Sequence, residues 1–187
     1  MKMTSEGMRD PKHYQLGRTQ LDPDLIKEVE AHGGKNAHLC FQCGTCTAGC
    51  PMGQRSGLRV RTVMRKAVLG IRDVLDDPDL WLCTTCYVCA DRCPRRITTT
   101  DAIIALRNLA TREKKVPMSM VKIMGMIYKT GHGVPNNESN MKNRVKVGLP
   151  ENPPTTHSYP EHIKNIQKIL EVTGLQKIRE EMEAESQ

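Results

Sequence analysis

Two cysteine runs constrain this chain more than any other feature. CFQCGTCTAGCP at 40–51 and CTTCYVCADRCP at 83–94 both read C-x2-C-x2-C-x3-C-P. Cys40, Cys43, Cys46 and Cys50 map onto Cys83, Cys86, Cys89 and Cys93 at a constant offset of 43, an internal duplication that uses all 8 cysteines. With 3% aromatic residues, one Trp and one Phe, the chain cannot build a large core from side chains alone. Small cores of that kind are commonly held by metals or disulfides. The fold is therefore expected to form around whatever these thiols hold.

Three thiol chemistries compete. A disulfide framework calls for export, and the N-terminal MKMTSEGMRDPKHYQLG lacks the apolar segment of a secretory signal. The expectation is a cytoplasmic protein, where thiols stay reduced. Zinc favours two-by-two spacing around a tetrahedron, usually with histidine among the ligands. The runs instead follow the bacterial ferredoxin pattern for [4Fe–4S] clusters, in which the fourth cysteine of each run serves the other cluster. A cubane needs one thiolate on each of four irons. Cysteines three residues apart let a turn-rich backbone cover three corners, and the fourth thiolate comes from elsewhere. On that resemblance one cluster takes Cys40, Cys43, Cys46 and Cys93, and the other takes Cys83, Cys86, Cys89 and Cys50. Pro51 and Pro94 follow the crossing ligands and turn the chain away, since proline fixes φ and has no N–H.

Strand signals are poor and the chain reads as mostly α-helical: an irregular arm at 1–20, a two-cluster α-helical ferredoxin module at 21–116, and a helical, proline-rich extension with a docking arm at 117–187. Asp22-Pro23 has the cap-plus-proline form of a helix start, and Gly33-Gly34 of a stop. In GLRVRTVMRKAVLGI, 57–71, Val60, Val63, Met64, Ala67, Val68 and Ile71 share one face at helical period, opposite Arg59, Arg61, Arg65 and Lys66. That basic face reads either as solvated surface or as a docking patch for an acidic partner. Asp77-Pro78 repeats the start signal before Cys83, and DAIIALRNLATREKK follows the second run as another amphipathic helix. The Met-rich segment 118–129 is apolar on more than one face, as helices buried all round are; it reads either as core packing against the module or, since the module is small, as a helix that takes further cover from a neighbouring subunit. The proline-rich stretch 148–160 reads as an extended arm laid on a neighbour, and Ser158 to Glu161 has capping-box spacing for a helix through Leu170.

Several functions are excluded or disfavoured. No 18-residue apolar run predicts a membrane span. There is no GxGxxG or P-loop, and no nucleophilic triad can be assembled when every cysteine is a ligand. His38, two residues before Cys40, reads as a surface histidine rather than a partner of the ligands. A formal charge of +7 invites a nucleic-acid reading. However, a thiolate-ligated oxidised cubane is a dianion, so two would offset much of that excess. The basic residues also lack the interleaved aromatics of single-strand binders.

The helical link between the runs resembles the α-helical ferredoxin modules of succinate dehydrogenase and fumarate reductase iron–sulfur subunits, without cysteines for their additional [2Fe–2S] domain. CFQCGTCTAGCP, WLCTTCYVCADRCPR and GHGVPN…GLPENPPT more closely resemble the iron–sulfur C subunit of heterodisulfide reductases of methanogenic archaea. That resemblance implies an electron-relay subunit of an oxidoreductase hetero-oligomer. It would pass single electrons from a flavin-containing subunit to a catalytic one that cleaves the coenzyme M–coenzyme B heterodisulfide, with a hydrogenase or formate dehydrogenase as candidate upstream donor. The alternatives are a relay subunit of another anaerobic reductase or dehydrogenase, of succinate/fumarate or glycerol-3-phosphate type, and a regulatory metal protein that binds nucleic acid.

Overall fold

The computed structural model describes residues 21–185; the expected arm at 1–20 lies outside them. The described residues are mostly helical, with no strand beyond one antiparallel bridge between Leu21 and Ile71. The chain divides into two units between Arg107 and Asn108.

In the first unit, Asp22-Pro23 opens a turn rather than the helix itself, and helix α1 (Leu25–Ala31) follows it with Asp24 at the cap position. The Asp22 carboxylate accepts the Asp24 N–H at 3.0 Å, and the Asp22 carbonyl accepts that of Leu25 at 3.3 Å. Leu25 and Val29 are fully buried. Gly34 follows where backbones nearly touch: a Cβ there would lie 3.0 Å from the Cα of Ala102. The two short helices α2 (Thr45–Ala48) and α4 (Val88–Asp91) lie inside the cysteine runs and pack on each other. Between them, the helix expected over 57–71 shortens to α3 (Val60–Val68), with Val60, Val63, Met64 and Ala67 buried. The hydroxyl of Thr47, from the first run, accepts the Arg61 N–H at 2.8 Å and so caps the first turn of α3. Asp77-Pro78 opens a 3-10 turn, Pro78–Leu82, with Asp77 accepting the Asp79 N–H at 3.0 Å. Helix α5 (Thr99–Arg112) then begins; its residues Ala102, Ile103, Ala105 and Leu106 are fully buried. The hydrophobic core of this unit is aliphatic, consistent with a chain poor in aromatics.

The second unit contains α6 (Met118–Thr130), α7 (Glu138–Lys146), α8 (Ile163–Val172) and α9 (Leu175–Glu185), of which α6, α8 and α9 pack together. Helix α6 is covered on one side only. Only Val121 and Gly125 are buried, Met118 is exposed, and Met120, Ile123, Met124, Met126 and Ile127 are partly covered. Two packed helices cover one side of a third, and α7 has no buried residue of its own. The proline-rich stretch folds back on this unit: Arg144 Nε donates to the Pro150 carbonyl at 2.8 Å, and the Thr156 hydroxyl donates to the Thr130 carbonyl. Ser158 makes no capping box. Its hydroxyl donates to the Pro153 carbonyl at 2.8 Å, and a 3-10 turn, Pro160–His162, leads into α8. Among the described residues no helix is long and apolar enough to cross a membrane.

Candidate metal centre

The duplication in sequence is a duplication in backbone. Gln42 and Gly44 take left-handed φ values of 64° and 87°; their equivalents Thr85 and Tyr87 take 53° and 63°. Each left-handed pair folds the run between its first three cysteines, and each is followed by a one-turn helix, α2 or α4. Glycine does this freely, whereas a left-handed Tyr87 costs about 1 kcal/mol, a strain the surrounding fold has to hold.

The thiols line two cavities. The first is bordered by Cys40, Cys43, Cys46 and Cys93. The second is bordered by Cys50, Cys83, Cys86 and Cys89. Each run therefore sends three cysteines to one cavity and its last to the other. All eight thiols are unbridged. Among the described residues no three His, Cys, Asp or Glu side chains converge closely enough to hold a single metal ion. A cubane takes one thiolate on each of four irons, and four thiols line each cavity, which is the donor set such a cluster needs.

Polar partners adjust individual thiols. The Gly53 N–H donates to Cys50 Sγ at 3.3 Å. Cys89 Sγ shares a 3.3 Å hydrogen bond with Thr100 Oγ1, and Cys43 Sγ a 3.4 Å one with Thr45 Oγ1. Burial pushes the Cys46 thiol up to about 11 and raises that of Cys89, while the Thr45 hydrogen bonds lower that of Cys43. Coordination to iron deprotonates such thiols outright, so ligation offsets the cost of burying them. Hydrogen bonds to cluster sulfurs raise reduction potential, which makes Thr45, Thr100 and Gly53 functional neighbours that the motif alone does not mark.

Arg107 is another. Its Nη2 donates to the Cys83 carbonyl at 2.7 Å and its Nε to the Leu80 carbonyl at 3.0 Å, with the guanidinium 5.7 Å over the Trp81 ring. It clamps the turn that delivers Cys83, and no sequence signal links it to that turn. His38, by contrast, is engaged with Glu30, Nδ1 to Oε1 at 2.6 Å, and lines neither cavity. The basic face of α3 splits. Arg59 donates to the carbonyls of Gly53 and Ser56 at 2.6 and 2.9 Å, Lys66 pairs with Asp77 at 3.3 Å, and Arg61 lines the first cavity.

Over residues 36–97 the chain matches the model of a 4Fe-4S dicluster domain. Its eight cysteines supply the four thiolates that each of two clusters requires, and the chain binds two [4Fe–4S] clusters. It is 43% identical over 164 residues to the C subunit of the H(2):CoB-CoM heterodisulfide,ferredoxin reductase of Methanothermobacter marburgensis, covering 87% of this chain and 89% of that one. The iron-sulfur C subunit of the CoB–CoM heterodisulfide reductase of Methanopyrus kandleri is 37% identical over 180 residues, 91% of this chain and 94% of its own. A protein of Archaeoglobus profundus named for its likeness to the heterodisulfide reductase C subunit is 32% identical over 182 residues, 94% and 95% of the two chains. Similarity of this extent, running well beyond the cysteine runs, shows that the chain belongs to the family of heterodisulfide reductase iron–sulfur C subunits.

Proposed function

We propose that this chain is the electron-relay subunit of a cytoplasmic heterodisulfide reductase complex. It accepts single electrons from a flavin-containing subunit and delivers them to the catalytic subunit that reduces the coenzyme M–coenzyme B heterodisulfide. The observation that carries this reading is the exchange of last cysteines between two four-thiol cavities. That exchange supports Cys40, Cys43, Cys46 and Cys93 as ligands of one cluster and Cys83, Cys86, Cys89 and Cys50 as ligands of the other. Each cluster, when bound, stores and passes one electron. The chain's own contribution is to hold two such centres side by side through crossed ligands, so that neither can drift from the other. Cys43 and Cys86 are the exposed thiols of their cavities, one outlet for each.

The half-open Met-rich side of α6 supports a docking role for residues 117–187: apolar side chains left partly covered are the usual mark of a protein–protein contact. A fixed seat on both partners matters because electron tunnelling falls steeply with distance. The test is single turnover. The reduced, cluster-loaded chain is mixed with the purified catalytic subunit and the heterodisulfide, and cluster absorbance is followed. Reoxidation is expected only when the catalytic subunit is present, with two electrons withdrawn for each disulfide broken. Reduction of the heterodisulfide by this chain alone, or no reoxidation with the catalytic subunit, refutes the reading.

A further inference from the structure

The two cavities have different rims. Arg61 and Arg95 line the cavity of Cys40, Cys43, Cys46 and Cys93, whereas no charged side chain lines the other. The Arg61 side chain lies along Gly44, where a Cβ would stand 3.7 Å from its Cδ and 3.8 Å from its Nη1. The Arg95 guanidinium stands 5.3 Å over the ring of Phe41. Phe41 is the only Phe of the chain, yet it is 56% exposed at the same mouth, and Leu39, two residues before it in the sequence, is 41% exposed. In an aromatic-poor chain a phenylalanine belongs in the core first, so its display beside the exposed Cys43 needs a reason. No Asp or Glu lines this cavity, and neither Arg61 nor Arg95 forms an ion pair with a described residue. Arg59 and Lys66 of the same basic face are already engaged within the chain.

We propose that this mouth is the docking face for a redox partner that presents carboxylates around an apolar contact: Phe41 and Leu39 make the dry centre, and Arg61 and Arg95 pair with the acidic rim. The proposal rests on the relay reading and its ligand grouping. The neutral mouth beside Cys86 and Tyr87 then receives a partner of different surface chemistry, so charge sorts the two ends of the relay. Opposite charge steers encounter and fixes register, while the aromatic centre supplies contact area.

The test uses the full, cluster-loaded chain and the Arg61→Glu/Arg95→Glu double variant, with iron content and both cluster signals checked first. In the assembled complex the double variant should bind its redox partner at least tenfold more weakly at low salt, with the difference shrinking as salt rises. Two small oxidants separate docking charge from driving force: anionic tris(oxalato)cobaltate(III) and cationic tris(phenanthroline)cobalt(III), each of which takes up one electron to become cobalt(II). The variant should be oxidised several-fold more slowly by the anion and faster by the cation. A change in the same direction for both probes means that the arginines set only the cluster's potential, and overturns the proposal. Unchanged partner binding overturns it as well. If the double variant fails to hold both clusters, Arg61→Gln/Arg95→Gln carries the same test with the same signs and smaller ratios. Failure of the wild-type chain to pass electrons to the catalytic subunit would instead condemn the relay reading itself.

Discussion

Arg107→Ala removes a half-buried guanidinium that holds the turn in front of Cys83. The loss includes its hydrogen bonds at 2.7 Å to the Cys83 carbonyl and 3.0 Å to the Leu80 carbonyl, together with the stack over Trp81. A bond from a charged donor contributes about 1.5–3 kcal/mol. Water can reach part of this site, so the lower end applies, giving about 3 kcal/mol for the pair; the stack adds about 0.5 kcal/mol. At 1.4 kcal/mol per tenfold, local opening of the Leu80–Cys83 turn should become about 300-fold more frequent. The assay is chelator challenge of the loaded chain, followed by the bleaching of cluster absorbance. One kinetic phase should accelerate about 300-fold, that of the cluster assigned to Cys83, while the other keeps its wild-type rate. Arg107→Lys retains one donor and should accelerate the same phase only about tenfold, in keeping with half the hydrogen bonding. Wild-type rates in both phases, or equal acceleration of both, would refute the clamp.

Cys50→Ser should alter the electron paramagnetic resonance signal of the cluster held by Cys83, Cys86 and Cys89 and leave the other unchanged; the reverse pattern means the fourth ligands are not exchanged. Gly34→Ala places a Cβ 2.6 Å from Val29 Cγ1 and 3.0 Å from the Ala102 Cα. This overpacking should cost about 1–3 kcal/mol and lower the thermal midpoint of the loaded chain by about 5 °C or more; an unchanged midpoint would show that α1 and α5 can separate freely. Truncation after Val116 should preserve both clusters and abolish complex assembly, read by co-purification. Full assembly of the shortened chain removes 117–187 as the docking element. Stripping the clusters should reduce helix content and expose the chain to proteases, because ligand binding free energy becomes folding free energy where cores are small. An apo chain as helical and resistant as the loaded one contradicts that coupling.

The features legible in the sequence are local. Three-residue spacing decides which cysteines can share a turn, Asp-Pro pairs announce where α1 and the Pro78 turn begin, and the period of Val60, Val63, Met64 and Ala67 marks the inner face of α3. Each depends on residues within one or two turns of one another, so a linear reading suffices. The strained Tyr87 was nearly legible too, since overlaying the runs sets it on Gly44. What tertiary structure alone decided involves partners far apart along the chain. Arg107 meets a carbonyl 24 residues away, and Thr100 meets Cys89 across 11. Among arginines of one helical face, Arg59 turns to carbonyls just before it in the chain, whereas only folding sets Arg61 at a cavity mouth with Cys93 and Arg95. The same limit bears on two further segments. Ser158 has the spacing of a cap, but the Pro153 carbonyl, whose chain has turned back toward it, takes the hydroxyl. Segment 118–129 has the composition of a buried helix, but composition states how much apolar surface a helix carries, and only the packing of α8 and α9 decides how much of it is covered.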